Sequence, residues 1–400
     1  MNVLFLTYNG LAEPLGQSQI LPYLRGLLGK GHRFSVLSFE KAKSETSLSA
    51  NQVAAMLPPE IQWIRLKYHK WPSVPATLWD VLSGSLRGLL AGPFDLVHAR
   101  STVPAAMGSS IASMRRIPWI FDVRGFLAQE YVDAGHWSEA GAVTRIVGRV
   151  ERRLIDRAEG LVFLSSRGGE LAGPAARARA GKHISIIPCA VDMDRFTFDQ
   201  AERVRIRREL GLLSEPLMVY SGSLGSWYLP SAMLDFFEVA RESLKGLHFL
   251  VLSPQRELIQ EEATARGLSD SLRAYSVPAD RVPNYLSAAD FGISFIKPAP
   301  SKLASSPTKV GEYLSCGLPV IANAGVGDME ALAKPPICFV LPDLSRAEYA
   351  RAAEALKGRL GQDDLRAECR AHARQHLSLT EAVDRYDKLY SALSRDGGPA

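Results

Sequence analysis

Residues 305–321 hold the side chains whose types and spacing point most directly to chemistry. The pattern predicts a polar loop leading into an amphipathic helix at about Thr308. The N–H groups of Ser306 and its successors, the positive end of the helix dipole and the Lys309 ammonium would bind an anion. Glu312, one turn later, would accept hydrogen bonds from hydroxyl groups attached to that anion. The alternative is an ordinary capped helix with two surface charges.

A glycine-bearing turn follows a predicted strand in Val219-Tyr-Ser-Gly-Ser-Leu-Gly-Ser-Trp-Tyr228. Because Gly222 and Gly225 lack a β-carbon, the backbone would approach a diphosphate closely at this junction. The turn is not a complete G-x-G-x-x-G, so alone it does not identify a nucleotide site. Trp227 and Tyr228 would line a pocket or pack in the core.

The composition is that of an ordinary globular protein, with 46% hydrophobic and 22% charged residues in 400. At roughly 150 residues per domain, two domains are favoured, and disordered, collagen-like and coiled-coil classes are excluded. The net charge of +5 and the pI of about 9.0 are compatible with anionic partners.

Cysteine spacing and hydropathy favour an intracellular setting. The four cysteines lie far apart, so no zinc spacing or dense disulfide framework is predicted, which fits a reducing cytosol. The apolar run at the N-terminus is too short for a signal peptide and predicts a first strand. No run of about 18 apolar residues occurs, so we expect any membrane association to be peripheral.

Short apolar runs alternate with helical stretches twice along the chain, the pattern of βαβ units with parallel sheets. The first series of predicted strands covers residues 3–7, 33–38, 61–66, 96–98, 119–123, 160–164 and 184–187. The second covers 217–221, 248–252, 273–276, 291–295, 319–323 and 337–341. Predicted helices include 18–30, 140–158, 230–244, 255–266, 282–288, 309–316 and 328–333, with a helical tail at 345–395.

Residues 305–321 resemble the nucleotide-sugar motif of the family 4 glycosyltransferases. Further matches are Pro283-Asn-Tyr-Leu-Ser-Ala-Ala-Asp290, Ile187-Pro-Cys-Ala-Val-Asp192 with Phe196, Phe94-Asp-Leu-Val-His98 and Leu27-Leu-Gly-Lys-Gly-His32. The resemblance implies an α/β protein of the GT-B fold, with two Rossmann-like, doubly wound domains facing a central cleft. We expect an acceptor-side domain at residues 1–190 and a donor domain at 191–375. Residues 376–400 would form a helix crossing back to the first domain and a flexible tail.

Two glutamates separated by seven residues contact the donor in this family. Glu312 matches the second, which implies hydrogen bonds to the ribose hydroxyls. The first falls on Ala304, so the usual carboxylate contact to the transferred sugar is missing. Lys302 or a backbone amide would contact the sugar instead, unless Lys302 is only a solvated charge.

The family's basic residues after the glycine turn are also replaced here. Ser223 follows Gly222 where an arginine is common. We therefore expect Lys309 and Arg256 to neutralise the diphosphate, although Arg256 fits an ordinary helix N-terminus as well. Val277 resembles the position whose backbone clamps the nucleobase, which leaves the base unspecified.

On the acceptor side, Arg124 stands where the family usually has a histidine beside the transferred sugar. An arginine stays protonated and is no general base, but it would donate to a sugar hydroxyl or bind a phosphate, oriented by Asp122. His98 is a further cleft candidate. Gly16 and Gln17 lie in a segment resembling the acceptor-side loop. A structural Asp–Arg pair, a core histidine and a ligand-free loop are the alternatives.

Two further patterns bear on partners. Asp192 and Asp194 form the D-x-D of metal-dependent transferases of another fold, but we expect them to be structural, with no metal or other cofactor. Two groups of basic residues would form either a lipid-facing surface or a solvated face that Glu151 and Asp156 partly neutralise. They are Arg145, Arg149, Arg152, Arg153 and Arg157, and, before Trp71, Arg65, Lys67, His69 and Lys70.

The resemblance implies retaining transfer of a hexose-like sugar from a nucleoside diphosphate sugar to a hydroxyl of a glycan or lipid-linked acceptor. The expected setting is cell-surface polysaccharide assembly, in the cytoplasm or at the inner face of the membrane, without nucleic acid. No carboxylate pair suits double displacement, which favours front-face substitution. A nucleotide-sugar epimerase or phosphorylase of the same architecture and a noncatalytic nucleotide-sugar-binding subunit are the alternatives.

Overall fold

The computed structural model describes residues 1–41, 48–173, 183–225 and 227–396. The chain forms two compact units, and it passes from the first to the second between Pro188 and Cys189. The first unit contains Met1–Pro188, Leu303–Ser305 and the segment from Leu379 onward. The second contains Cys189–Lys302 and Ser306–Ser378.

In its described part, the first unit is built on a seven-stranded parallel sheet with the order β3-β2-β1-β4-β5-β6-β7. The strands are β1 (Asn2–Thr7), β2 (Arg33–Glu40), β3 (Ile61–Lys67), β4 (Leu96–Arg100), β5 (Trp119–Val123), β6 (Gly160–Phe163) and β7 (His183–Ile186). Thr7 pairs with Arg100, and Arg100 pairs with Asp122. The carboxyl ends of β1, β4 and β5 therefore lie side by side.

Helices cover this sheet, as the alternating sequence pattern predicts. They are α1 (Pro14–Gln19), α2 (Leu21–Leu28), α3 (Ala50–Met56), α4 (Ser73–Leu90), α5 (Thr102–Arg115), α6 (Leu127–Asp133), α7 (Ala142–Arg157) and α8 (Ser166–Leu171). The single helix predicted at residues 18–30 is in fact two helices, and the first starts earlier because Pro14 is preorganised for a first turn. Gly16 and Gln17 thus lie in α1 rather than in a loop.

The second unit has a six-stranded parallel sheet, in its described part, with the order β10-β9-β8-β11-β12-β13. The strands are β8 (Leu217–Ser221), β9 (His248–Leu252), β10 (Leu272–Tyr275), β11 (Phe291–Ser294), β12 (Val320–Asn323) and β13 (Cys338–Leu341). The helices are α9 (Gln200–Glu209), α10 (Pro230–Ser243), α11 (Arg256–Ala265), α12 (Val282–Ala288) and α13 (Thr308–Ser315). Short 3₁₀ helices occupy Pro300–Ala304 and Met329–Leu332, the latter where residues 328–333 were predicted to be α-helical.

The predicted helical tail consists of three helices: α14 (Arg346–Lys357), α15 (Asp363–Leu377) and α16 (Leu379–Asp396). The first two belong to the second unit, and α16 belongs to the first. There, the Arg385 guanidinium donates to the Ile186 carbonyl at 2.9 Å. None of the helices in the described residues has the length and hydrophobicity that spanning a bilayer requires.

Candidate functional site

The helix predicted from residues 305–321 is α13. Its N-cap residue is Pro307, which provides no side-chain hydrogen bond to the first-turn amides. Such amides carry the positive end of the helix dipole and remain available to a ligand when no side chain caps them. The start of α13 is therefore compatible with the anion site that the sequence predicts there.

Lys309, in the first turn of α13, is buried, with 4% of its surface exposed. Its Nζ atom lies 3.5 Å from the centre of the Tyr228 ring and 4.8 Å from that of Tyr220. It also donates to the Tyr220 hydroxyl at 3.5 Å. Burial lowers the pKa of Lys309 to about 7, against the opposing charge of Glu312. The aromatic rings partly stabilise an ammonium that burial strongly disfavours.

The glycine turn after β8 passes directly beside this ammonium. Gly222 has a φ of +131°, and a β-carbon there would lie 3.2 Å from the Nζ atom of Lys309. Tyr220 donates its hydroxyl hydrogen to the Ser223 carbonyl, and the Ser223 hydroxyl accepts from the Gly225 amide at 3.1 Å. The two motifs that the sequence singled out separately are thus one site.

Two residues that the sequence did not indicate hold α13 against this turn. The Tyr313 hydroxyl accepts from the Ser221 amide at 2.7 Å. On β11, a β-carbon at Gly292 would lie 2.3 Å from the Tyr313 ring, so only glycine leaves room for the tyrosine. A glycine inside an apolar strand signals such a close approach, although it does not name the partner.

Glu312 lies one turn after Lys309 and is partly buried. Burial raises its pKa, while the charges of Lys309 and Arg195 lower it. Thr308 is half-buried at the first helical position. The Ser306 hydroxyl accepts from the Cys189 amide at 3.0 Å, so this side chain fixes the loop.

The remaining donor-side candidates have other neighbours. Arg256 opens α11 with a half-exposed side chain, and its Nε atom lies 3.1 Å from the Glu257 carboxylate. Val277 follows β10 and packs partly against a hydrophobic cluster of the second unit. The Nζ atom of Lys302 lies 3.7 Å from the centre of the Trp227 ring.

In the first unit, Asp122 is fully buried at the end of β5. One of its carboxylate oxygens accepts from the Tyr386 hydroxyl at 3.1 Å. The carboxylate also lies 3.5 Å from the Nη1 atom of Arg124 and 3.8 Å from the Nε atom of Arg100. Burial alone would raise the pKa of Asp122, but Arg124, His98 and Arg100 outweigh it and hold that pKa well below its usual range.

His98 lies beside Asp122, with 2% of its surface exposed. Its Nδ1 atom is 2.6 Å from the Tyr390 hydroxyl, and its Nε2 atom is 3.5 Å from the Asp122 carboxylate. Burial lowers the pKa of His98, and Asp122 opposes the shift. A cavity of about 10 Å³, lined by residues that include His98 and Asp122, is close to the volume that one water molecule needs.

The structure brings Asp122, Arg124 and His98 together, as their positions at strand ends predict. It also shows that the partners of Asp122 and His98 come from α16. Tyr386 lies 264 residues from Asp122, and Tyr390 lies 292 residues from His98. No local sequence pattern connects positions so far apart.

From within α1, Gly16 and Gln17 contact the turn that joins β1 to this helix. A β-carbon at Gly16 would lie 2.2 Å from the Gly10 carbonyl oxygen, so this position requires glycine. The Gln17 amide group donates to the Leu11 carbonyl at 2.5 Å. Ala304 is buried beside Gly168, and a β-carbon added at Gly168 would lie 3.1 Å from the Cα atom of Ala304.

Two side predictions have clear local outcomes. The Asp192 carboxylate accepts from the amides of Asp194 and Arg195 at 3.1 and 3.2 Å, which is the structural role expected of this D-x-D. Among the described residues, no three His, Cys, Asp or Glu side chains are grouped to hold a metal. Glu151, which the alternative interpretation of the α7 arginines used for partial neutralisation, is buried and accepts from Thr102 and from the Leu127 amide, while the charge of Arg152 also acts on it.

Comparisons with known proteins agree with this architecture. Residues 17–189 match the model of the glycosyl transferase 4-like domain. Over 240 residues the chain is 27% identical to the putative teichuronic acid biosynthesis glycosyltransferase TuaC of Bacillus subtilis (strain 168). That match covers 60% of this chain and 55% of TuaC, so it spans about half the length of the curated relative.

Solved structures match over nearly the whole chain. Sucrose-phosphate synthase from Thermosynechococcus elongatus is 16% identical, with a TM-score of 0.72 and 99% of each chain covered. HepE of Anabaena, solved in complex with UDP-glucose, is 16% identical, with a TM-score of 0.68 and coverage of 99% of this chain and all of HepE. The α/β class and the GT-B fold expected from the sequence are therefore confirmed. The chain thus has the GT-B fold, and its residues 17–189 are similar to a glycosyl transferase 4-like domain.

Proposed function

We propose that this chain transfers a hexose-like sugar from a nucleoside diphosphate sugar to a hydroxyl group of a glycan or lipid-linked acceptor in polysaccharide assembly. The observation that carries the proposal is the buried ammonium of Lys309 beside Gly222, at the uncapped start of α13. Two similar proteins support the same class of donor and the same setting: HepE was solved with UDP-glucose, and TuaC is named for teichuronic acid biosynthesis.

The diphosphate of the donor would lie between the Gly222 turn and the first turn of α13. Thr308 and Lys309 would offer their amides, and the ammonium of Lys309 would offer its charge. Because the pKa of Lys309 is about 7 in the free protein, an arriving anion would raise this pKa and draw a proton onto the amine. The same groups would stabilise the negative charge that grows on the diphosphate as the glycosidic bond breaks.

Further residues of the second unit would orient the rest of the donor. Glu312 would accept from the ribose hydroxyls, and the backbone at Val277 would contact the base. Ser223, which is exposed on the turn, would contact the donor there. Ser306 would offer its backbone amide, because its hydroxyl already accepts from the Cys189 amide. Arg256, which is half-exposed and paired with Glu257, would act mainly through long-range attraction of the donor.

In the first unit, we assign contact with sugar or phosphate to Arg124. Asp122 and His98 are buried, and we assign them the positioning of Arg124 rather than contact with substrate. Gly16 and Gln17 would shape the acceptor-side turn. The proposed step is a front-face substitution with retained configuration, in which a donor phosphate oxygen takes the acceptor proton. Lys309 and the amides neutralise the diphosphate in this scheme, so we propose that no metal is needed.

The test is a transfer assay with purified protein, a panel of nucleotide sugars and a lipid extract as the acceptor source. We expect release of nucleoside diphosphate that requires acceptor, persists in EDTA and is lost in Lys309→Met. Nuclear magnetic resonance of the product would report the anomeric configuration. Epimerised donor without acceptor would indicate an epimerase, dependence on inorganic phosphate would indicate a phosphorylase, and binding without turnover would indicate a noncatalytic subunit.

A further inference from the structure

Helix α4 presents a continuous apolar surface to solvent. Along its exposed side, large apolar residues recur every four positions; one exposed tryptophan precedes the helix and another lies within the row. We call this the α4 ridge: Val74 (56% exposed), Leu78 (65%), Leu82 (63%), Leu86 (57%) and Leu90 (73%), with Trp71 (85%) and Trp79 (58%). Contiguous exposed apolar surface of this kind marks an interaction site rather than an ordinary protein surface.

The inward side of α4 packs too closely against the core to accommodate the large apolar residues of the ridge. That side buries mainly small residues, and a β-carbon at Gly84 or Gly88 would lie 2.6 Å from Met107 or 2.5 Å from Ile111 of α5. The acidic residue of this helix, Asp80, is also buried and accepts from the Tyr8 hydroxyl at 2.8 Å. A normal surface helix has the opposite arrangement, with its large apolar residues inward.

The charges around the ridge select its occupant. Between Ile61 and Ala91, Asp80 is the only acidic residue, and it is buried. The exposed charged residues of this stretch are all basic: Arg65, Lys67 and Lys70 before the helix, and Arg87 near its end. Exposed leucines and tryptophans with cations on either side are the chemistry of a helix lying in the surface of an anionic bilayer.

A second copy of this chain fits the ridge less well. A symmetric pairing would bring the two sets of cations together, and this stretch exposes no acidic side chain to compensate them. The arginine-rich face of α7 is a separate surface, because α5 packs against both α4 and α7. We propose that the α4 ridge docks the protein on the surface of an anionic lipid bilayer, with its leucines in the acyl boundary and its cations among the headgroups.

The test uses vesicle flotation of the full chain and does not depend on the proposed transfer activity. Vesicles contain either phosphatidylcholine alone or equal amounts of phosphatidylcholine and phosphatidylglycerol. We expect binding to the anionic vesicles only, with a loss of at least tenfold in the variant L78S/L82S/L86S and a smaller loss in K67Q/K70Q. The matched control is L213S, which changes a leucine of the second unit that is 87% exposed, and it should float like the wild type.

Three results would overturn the proposal. They are failure of the wild type to float, undiminished flotation of the triple variant, and a wild-type dimer that the triple variant converts to monomer. If R145Q/R149Q on α7 loses flotation while the triple variant keeps it, the bilayer contacts α7 instead. Equal thermal unfolding midpoints for wild type and variants would show that the α4 substitutions act on the surface alone.

Discussion

The ammonium of Lys309 lies 3.5 Å from the centre of the Tyr228 ring. Within the part of the chain that the structure describes, this ammonium forms no ion pair, and Glu312, one turn along α13, acts on it only through its charge. The close partners of the ammonium are Tyr220 and Tyr228. A buried cation in such surroundings costs stability unless an anion joins it. We interpret this arrangement as a site whose missing charge is supplied by the ligand.

Replacing Lys309 should stabilise the free protein. Its pKa is lowered from 10.5 to about 7, so between these values the unfolded chain binds more protons, and stability rises with pH. At about 1.4 kcal/mol per pKa unit, Lys309→Met should raise the free energy of unfolding near pH 7 by a few kcal/mol. The gain should shrink as pH approaches 10.5. Urea unfolding from pH 6 to 10 measures it.

The matched control is Lys302→Met, which changes a half-exposed lysine over Trp227 and should shift stability little. A Lys309→Met variant that is less stable than the wild type near pH 7 would contradict the inference from burial.

Donor binding should take up a proton above pH 7. The pKa of Lys309 is about 7 when the site is free, and a diphosphate beside it would raise that pKa. The affinity for a nucleoside diphosphate sugar should therefore fall with rising pH, by up to tenfold per pH unit. Calorimetry at pH 8 in buffers of different ionisation enthalpy would measure the uptake. Equal binding heats in all buffers would show that no proton is taken up.

Gly222→Ala should impair donor binding more than stability. Its φ of +131° strains any side chain, and the new methyl group would lie 3.2 Å from the Nζ atom of Lys309. We expect roughly 1–3 kcal/mol of destabilisation from the backbone and at least a tenfold loss of affinity. Gly211→Ala is the control, since its φ is also positive but the space around it is open. Similar affinity losses in both would exclude a specific role for the turn.

Docking of α16 should depend on Gly26 in α2. A β-carbon at Gly26 would lie 2.5 Å from a methyl group of Val383. Overpacking of this kind costs about 1–3 kcal/mol, so Gly26→Ala should lower the unfolding midpoint. Val383→Ala should recover part of the loss when combined with it. Simple additivity of the two single-variant effects would show that the residues do not act through this contact.

The sequence predicted this fold and part of its site because the signals are local. Alternating apolar runs located most strands, and a proline–lysine–glutamate pattern located α13. Tyr220 and Tyr313 were not predicted as site residues, since an aromatic residue in an apolar strand or on the buried side of an amphipathic helix is typical of ordinary core. Tyr386 and Tyr390 were missed for another reason, because their partners are on strands more than 260 residues away.

The proposed function depends above all on Lys309 and Glu312 binding a nucleoside diphosphate sugar. The most direct measurement is a thermal-shift titration of the wild type, Lys309→Met and Glu312→Ala with UDP, GDP, ADP and dTDP and their sugar conjugates. Ligands that bind the native state raise the unfolding midpoint by mass action. We expect one nucleotide series to stabilise the wild type and both variants to lose this shift. Equal shifts in all three proteins, or none with any nucleotide at millimolar concentration, would contradict the proposed donor site.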